Sequence, residues 1–316
     1  MISLKSLQKG WNQFFFNTTD ASILGIFRIV MGAIFLLNGL CLIEDFYYWY
    51  GVGNEALVPL VDSLNFYTDF RINLFKILPH NIASAGLILF FYIICSLFVM
   101  IGYKTKISTI VLFILMVSLQ NRNYAILNSG DTVMRCLLFA MIWAPCGRCY
   151  SIDASLAYKA GQRLKKTVPL LGIRLIQIQF AVIYLSTALF KFNGEDWIDG
   201  TAVYYTSRLE NFQRLVIPVI FDHLVLVKLM TWFALFTEFA MGTLVWIKEL
   251  RIWVLLAGVL LHVGIELTMS IGFFEWIMFA GYIVFLKGSD IKQFSALYSR
   301  LRDRIFFESE SLNPAP

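Results

Sequence analysis

The residue in this sequence with the clearest capacity for chemistry is a lysine at the end of an apolar run. Lys191 lies between two phenylalanines and is followed by Asn-Gly-Glu-Asp and Trp197. Two interpretations are open. Removal from water favours the neutral amine, which can act as a base, whereas a lysine at a membrane boundary commonly extends its ammonium group into water.

Two further pairs of ionisable residues have helical spacing. Asp131 and Arg135 are separated by four positions, as are His262 and Glu266, and this spacing places both members of a pair on one face of a helix. The opposite charges of Asp131 and Arg135 predict a structural ion pair. Glu266 is expected either to hold the His262 imidazole in place or to orient it for proton transfer.

The segments that must position these groups are strongly apolar. Of the 316 residues, 59% are hydrophobic and 15% are charged, and the mean hydropathy is +0.70. Soluble domains average about 45–50% apolar and about 25% charged residues, so the composition predicts a protein embedded in a lipid bilayer. The net charge of +5 does not indicate a nucleic-acid partner, because that requires basic residues clustered on a polar surface.

A hydropathy window of about 19 residues predicts an all-α integral membrane protein with about eight transmembrane helices in one bundle. Two long extracytoplasmic loops, residues 44–81 and 192–223, separate some of them. We divide the chain into an N-terminal interfacial segment (1–19), a transmembrane domain (20–288) and a basic cytoplasmic tail (289–316). The fourth helix is short for a span. The predicted helices cover residues 22–42, 82–102, 107–124, 131–144, 168–191, 224–247, 252–269 and 271–286.

The distribution of basic residues gives these helices an orientation. Sixteen of the 26 lysines and arginines fall on one side of the predicted spans and five fall on the other. Cytoplasmic loops of membrane proteins carry the excess of basic residues. The sequence therefore predicts a multi-pass protein of the cytoplasmic membrane with both termini in the cytoplasm.

Ionisable side chains inside a bilayer are costly, at about 2.5–3.5 kcal/mol each on insertion scales, yet ten fall inside the predicted spans. The orientation places seven of the ten in the outer half of the membrane. Such a grouping predicts a polar cavity that opens to the outside. The seven are Asp131, Arg135, Lys191, Lys228, His262, Glu266 and Glu275, and the other three are Arg28, Arg174 and Glu238.

Three segments resemble known membrane proteins. Residues 183–200, Ile-Tyr-Leu-Ser-Thr-Ala-Leu-Phe-Lys-Phe-Asn-Gly-Glu-Asp-Trp-Ile-Asp-Gly, are similar to the segment of the vitamin K-dependent γ-glutamyl carboxylase family that carries its catalytic lysine. Residues 262–274 resemble that family's histidine helix and the hairpin after it. The segments 128–135 and 145–153 resemble the bacterial branch, the horizontally transferred transmembrane (HTTM) domain. Together the matches extend over residues 10–290.

The resemblance implies an enzyme that couples oxygenation of a reduced naphthoquinone to generation of a strong base at the extracytoplasmic face. The quinol would be vitamin K hydroquinone or menaquinol, with O2 and, for carboxylation, CO2 as co-substrates. By position, Lys191 would be the initiating base, and His262, partnered by Glu266, would contact the quinone oxygen or the reacting intermediate. We assign cofactor binding to five further residues and predict no metal site. The five are Asp131, Arg135, Lys228, Glu275 and Trp197.

Two other functions stay open. The branch that resembles sporulation-delaying protein B implies maturation of a secreted peptide toxin together with a soluble accessory protein. A carrier is the alternative from another class, in which the outer polar groups bind a substrate in transit. Inverted repeats and broken helices in matching positions would favour a carrier, and the sequence has neither pattern.

A C-x-x-C motif, Cys146 and Cys149, suggests redox chemistry. It lies on the predicted cytoplasmic side, opposite the predicted cavity, and no βαβ pattern surrounds it. The five cysteines are an odd number, lie mostly in apolar runs and do not indicate a disulfide framework.

The predicted topology is testable by labelling. A single cysteine at Asn211, in a variant without the native cysteines, is expected to react with a membrane-impermeant maleimide in intact cells, because the second long loop is predicted to be extracytoplasmic. Labelling that requires disruption of the cells would overturn the eight-span orientation.

Overall fold

The computed structural model describes residues 3–51, 72–79, 81–215 and 217–290, and these ranges are mostly helical. Two short strands, β1 (Thr18–Asp20) and β2 (Thr167–Pro169), form an antiparallel pair. The helices are α1 (Leu4–Phe16), α2 (Ser22–Cys41), α3 (Phe46–Tyr50), α4 (Ile82–Ile101), α5 (Thr105–Arg122), α6 (Ser129–Trp143), α7 (Ile152–Lys159), α8 (Leu171–Lys191), α9 (Glu195–Ile198), α10 (Ala202–Thr206), α11 (Pro218–Phe221), α12 (Leu224–Thr243), α13 (Arg251–Thr268) and α14 (Phe274–Tyr282), with 3-10 turns at Leu74–Lys76, Cys146–Arg148, Glu210–Phe212, Leu244–Trp246 and Ile283–Phe285.

Each of the eight predicted spans contains a helix, but only some of these helices suit a bilayer. Five are long and apolar enough to cross one: α2, α4, α8, α12 extended through its 3-10 turn, and α13. Helix α6 has 15 residues, about 22 Å at 1.5 Å per residue, whereas the hydrocarbon core is about 30 Å thick. The last apolar helix, Phe274–Phe285, is also short. Five candidate spans are therefore supported, and the count of eight stays a prediction.

The structure describes less than half of the first loop that the sequence predicts to be long and most of the second. Most of the first loop, residues 52–71 and 80, lies outside the described residues, as do residues 291–316 of the predicted tail. The second loop is not irregular: it contains α9, α10 and α11. Its backbone packs along α12, because Val203 N–H donates to Thr231 Oγ1 at 3.1 Å and Trp232 Nε1 donates to the Ile198 carbonyl at 3.1 Å.

One end of the bundle is organised around a buried arginine. We call it the basal end: here α2, α5 and α8 begin and α4 and α6 end. Arg28 is fully buried, and its guanidinium donates to the carbonyls of Val99 (2.8 Å), Met100 (2.6 Å), Cys146 (3.2 Å) and Tyr150. Carbonyls at the end of a helix lack partners within it, so one cation joins α2 to the end of α4 and to the turn after α6.

Helix α14 lies at the centre of the bundle, in contact with α2, α6, α8 and α13. A glycine permits this position: a Cβ atom on Gly281 would lie 1.8 Å from the Phe180 ring of α8, so a larger residue would push the helices apart. Because α14 is enclosed by four helices, its polar side chains must find partners within the bundle.

Candidate functional site

Four buried polar side chains from α8, α13 and α14 form one hydrogen-bonded cluster. The hydroxyl of Tyr184 on α8 lies 2.6 Å from His262 Nε2 on α13 and 2.6 Å from the hydroxyl of Tyr282 on α14. On its other side, His262 Nδ1 is hydrogen-bonded to Glu275 Oε2 on α14. His262 is 3% exposed and Glu275 is fully buried. We call these four residues the histidine cluster.

The order of donors and acceptors in the cluster depends on its protonation state. When Glu275 is ionised it only accepts, and Nδ1 of His262 then carries the proton that is donated to it. In the neutral imidazole Nε2 then accepts from the Tyr184 hydroxyl, whose oxygen accepts from Tyr282. If the imidazole is protonated, Nε2 donates instead and the Tyr184 hydroxyl turns towards Tyr282. The second state holds one more proton than the first, and the two 2.6 Å contacts of the Tyr184 hydroxyl suit both states without movement of heavy atoms.

The expectation that Glu266 is the partner of His262 is wrong. Glu266 does not contact the imidazole; its Oε1 accepts from Arg214 Nη1 at 2.5 Å. The end of α13 pairs with the second loop through a β-bridge between Gln213 and Met269, and this pairing brings the guanidinium to Glu266. A charged donor forms a stronger bond with the carboxylate than a neutral imidazole does. Glu275 holds His262 instead, from a different helix, so helical spacing could not reveal it.

Lys191 is also paired inside the protein. Its Nζ donates to Glu238 Oε1 on α12 at 2.6 Å, and the amine lies 4.2 Å from the centroid of the Trp197 ring. The side chains of Lys191 and Glu238 are 25% and 12% exposed. The sequence left two interpretations of this lysine open, an amine removed from water and an ammonium group extended into water. The structure agrees with neither. The lysine has a partly buried amine that donates a hydrogen bond to a carboxylate.

The end of α8 does not coincide with the end of the bundle. Glu238 lies fourteen residues into α12, about 21 Å from its start, and α9 and α10 pack beside the α12 segment that precedes it. Helix α12 and the second loop therefore extend past Lys191. This loop supplies Trp197, which covers the amine.

The lysine pair and the histidine cluster are neighbouring parts of one region. Lys191 and Tyr184 lie seven residues apart on α8, so they share a face of the helix at a separation of about 10 Å along its axis. The carboxylates of Glu238 and Glu275 both interact electrostatically with the Tyr184 and Tyr282 hydroxyls. Among the described residues, Glu238 Oε2 and Glu275 Oε1 are buried and have no hydrogen-bond partner.

Three further residues that the sequence assigned to the site make other contacts: Asp131, Arg135 and Lys228. Asp131 and Arg135 form no salt bridge in the described part of the chain. Asp131 instead caps α6, where its Oδ2 accepts from the Asn128 N–H at 2.9 Å and its own N–H donates to Asn128 Oδ1. Such a reciprocal cap satisfies two helix-terminal donors. Lys228 packs against Gly200, ten residues before Glu238 on α12.

The C-x-x-C motif lacks the environment of a redox pair. Cys146 is 2% exposed, and burial raises the pKa of its thiol to about 12. Burial also raises the pKa of Cys149. Disulfide exchange needs the thiolate, which these positions disfavour at neutral pH.

Comparison with known proteins gives one family and two relatives. The family model described as HTTM domain matches residues 16–289. The chain is 23% identical to Uncharacterized protein YitO of Bacillus subtilis (strain 168) over 229 residues, which are 70% of this chain and 73% of that protein. It is 30% identical to Sporulation-delaying protein SdpB of the same organism over 130 residues, 39% of each chain. No solved structure matches it.

The position of Tyr282 in the histidine cluster requires a glycine on α13, and a substitution of this glycine tests that position. A Cβ atom on Gly258 would lie 2.6 Å from the Tyr282 hydroxyl oxygen. We expect Gly258→Ala to displace Tyr282 and to lower the free energy of unfolding by about 1–3 kcal/mol, measured by denaturation in detergent micelles. The substitution should cost less in a Tyr282→Phe background, where the clashing oxygen is absent.

Gly264 on the same helix is the matched control, because nothing lies within 4 Å of a Cβ atom there. Gly264→Ala should leave stability unchanged or raise it by about 1 kcal/mol through helix propensity. Equal effects of the two substitutions would contradict the assigned position of Tyr282.

Proposed function

The chain is a multi-pass membrane protein that belongs to the HTTM domain family, and we propose that it is a membrane enzyme in which Lys191 removes a proton from a substrate held within the helix bundle. The observation that carries the proposal is the Lys191–Glu238 contact of 2.6 Å, about 10 Å along α8 from the histidine cluster. Family membership confirms the HTTM resemblance, and the chemistry is our inference from these contacts.

The lysine pair is suited to act as a base. Glu238 Oε1 accepts a hydrogen bond from Lys191 Nζ at 2.6 Å, so the carboxylate lies where it can take up a proton from the amine. Glu238 can therefore hold the proton of Lys191 while the amine accepts one from a substrate. Trp197 lies over the amine, 4.2 Å from its nitrogen to the ring centroid, and limits its access to water.

The histidine cluster is suited to stabilise negative charge on a reacting oxygen. The Tyr184 hydroxyl can donate a proton to such an oxygen, and the imidazolium form of His262 can replace that proton through the 2.6 Å contact of its Nε2 with the hydroxyl. Glu275 fixes the tautomer of His262 and stabilises the imidazolium form, as the carboxylate of a catalytic triad does. We assign this positioning role to Glu275 and not to Glu266, because Glu275 Oε2 is the carboxylate oxygen that contacts His262 Nδ1.

A reduced naphthoquinone fits the groups present. Its two phenolic hydroxyls need acceptors in an apolar site, and Glu238 Oε2 and Glu275 Oε1 are buried acceptors without partners among the residues described. When bound, the hydroquinone together with O2 would supply the oxidation that generates a strong base, and CO2 would be the further reactant in a carboxylation. Asp131 caps α6 and Lys228 packs against Gly200, and we assign these two residues and Arg135 no part in proton transfer.

A second function is favoured by one relative. The similarity to Sporulation-delaying protein SdpB supports maturation of a secreted peptide, with a soluble accessory protein. The same lysine pair would serve, because removal of a proton from a peptide substrate needs a base of the same kind. The two functions differ in their substrate and not in the site.

The proposal predicts a quinol-dependent reaction that requires Lys191. Purified protein given a naphthohydroquinone and O2 is expected to form the quinone epoxide, measured by chromatography, and Lys191→Ala should slow its formation at least about 100-fold, the usual contribution of a general base. Lys248→Ala is the matched control, because this lysine is exposed in the α12–α13 connection. No epoxide from folded wild-type protein would refute quinol oxygenation, and equal rates in wild type and Lys191→Ala would remove Lys191 from the mechanism.

A further inference from the structure

The basal end of the bundle contains a large open pocket that the proton-transfer site does not use. Its volume is about 610 Å³, and it lies where α5 begins, α6 ends and α8 begins. A second cavity of about 320 Å³ adjoins it, with Arg148 and Leu164 in the walls of both. We call the combined space the basal groove. Small-molecule sites typically enclose about 300–1,000 Å³, so the groove can accommodate an organic ligand.

The groove carries an excess of positive charge. Its cations are Lys106, Arg148, Lys165 and Lys166, and its carboxylates are Asp20 and Asp153. Both carboxylate oxygens of Asp153 already accept hydrogen bonds from within the protein. The donors are the Lys104 N–H (2.8 Å), the Thr105 N–H (2.8 Å) and the Thr105 hydroxyl (2.7 Å).

The cations, in contrast, retain free donors. Arg148 is exposed and forms no salt bridge in the described part of the chain. Lys106 donates to the Ile142 carbonyl at 2.5 Å, which leaves two of its three N–H donors for another acceptor. Lys106 and Arg148 therefore present unneutralised donors to whatever enters the groove.

The remaining wall of the groove is apolar and belongs to the ends of two helices. Met141 and Ala144 lie at the end of α6, and Leu171 lies at the start of α8. Trp143 is 59% exposed, with Lys106 Nζ 5.8 Å from its ring centroid. Tryptophan and lysine at a helix end are typical of the boundary between hydrocarbon and headgroups. A ligand for this groove needs an anionic group joined to a hydrocarbon chain.

We propose that the basal groove is a specific binding site for an anionic phospholipid. Its phosphate would lie between Lys106 and Arg148, and an acyl chain would follow the apolar wall of α6 and α8. Basic pockets between transmembrane helices on the cytoplasmic side bind anionic headgroups in this way, and the distribution of basic residues predicts that the basal end is cytoplasmic. The proposal is independent of the reaction at Lys191.

The test compares lipid binding by native mass spectrometry of the full chain in detergent, with phosphatidylglycerol and phosphatidylcholine added separately. Wild type should bind phosphatidylglycerol at least about tenfold more tightly than phosphatidylcholine. The double variant Lys106→Gln/Arg148→Gln should lose that preference, since each basic residue near a headgroup contributes about 1 kcal/mol, or about fivefold. The matched control is Lys9→Gln/Lys248→Gln, which removes the same charge from exposed positions outside the groove and should retain the preference.

A second variant separates loss of binding from loss of folding. Ala157→Trp fills the groove from α7 while it keeps every cation, and it should abolish phosphatidylglycerol binding with an unchanged melting temperature. Equal affinity of wild type for the two lipids would overturn the proposal, as would retention of the preference in both groove variants. Displacement of phosphatidylglycerol by millimolar inorganic phosphate would also overturn it, because the groove would then be a site for a soluble anion.

Discussion

The constraint on which this structure depends is that polar groups within an apolar bundle must find partners inside it, because lipid offers none. Arg28 meets the constraint with four backbone carbonyls, Lys191 meets it with Glu238, and His262 meets it with a carboxylate and a tyrosine. Each solution joins two or more helices. The same side chains that bring proton chemistry into the bundle therefore also determine how its helices pack.

The sequence predicted the helices and the chemically important residues better than it predicted their partners. Apolar runs and basic residues are local signals, and every predicted span contains a helix. Lys191 and His262 were evident as ionisable residues in apolar surroundings. Their partners Glu238 and Glu275 lie 47 and 13 residues away on other helices, and such pairings follow from the packing of α8, α12, α13 and α14. Spacing within one helix carries no information about them.

The incorrect pairings have physical causes of the same kind. Asp131 and Arg135 have the spacing of an ion pair, yet Asp131 is the third residue of α6 and the unpaired N–H groups of a helix start compete for its carboxylate. Glu266 is drawn to Arg214 by the β-bridge that follows α13. Both carboxylates lie at helix ends, where connecting segments supply partners that periodicity cannot reveal. The second loop similarly folds against α12 and supplies Trp197.

The central claim is that the lysine pair and the histidine cluster act as one proton-transfer unit, and a double-mutant cycle on turnover tests it most directly. Naphthohydroquinone-dependent product formation would be measured for Lys191→Ala, His262→Ala and the double variant. Groups that act in one catalytic unit have strongly non-additive effects, so the double variant should be about as slow as the slower single variant. Rate losses that multiply in the double variant would show that the two residues act independently and would contradict the account.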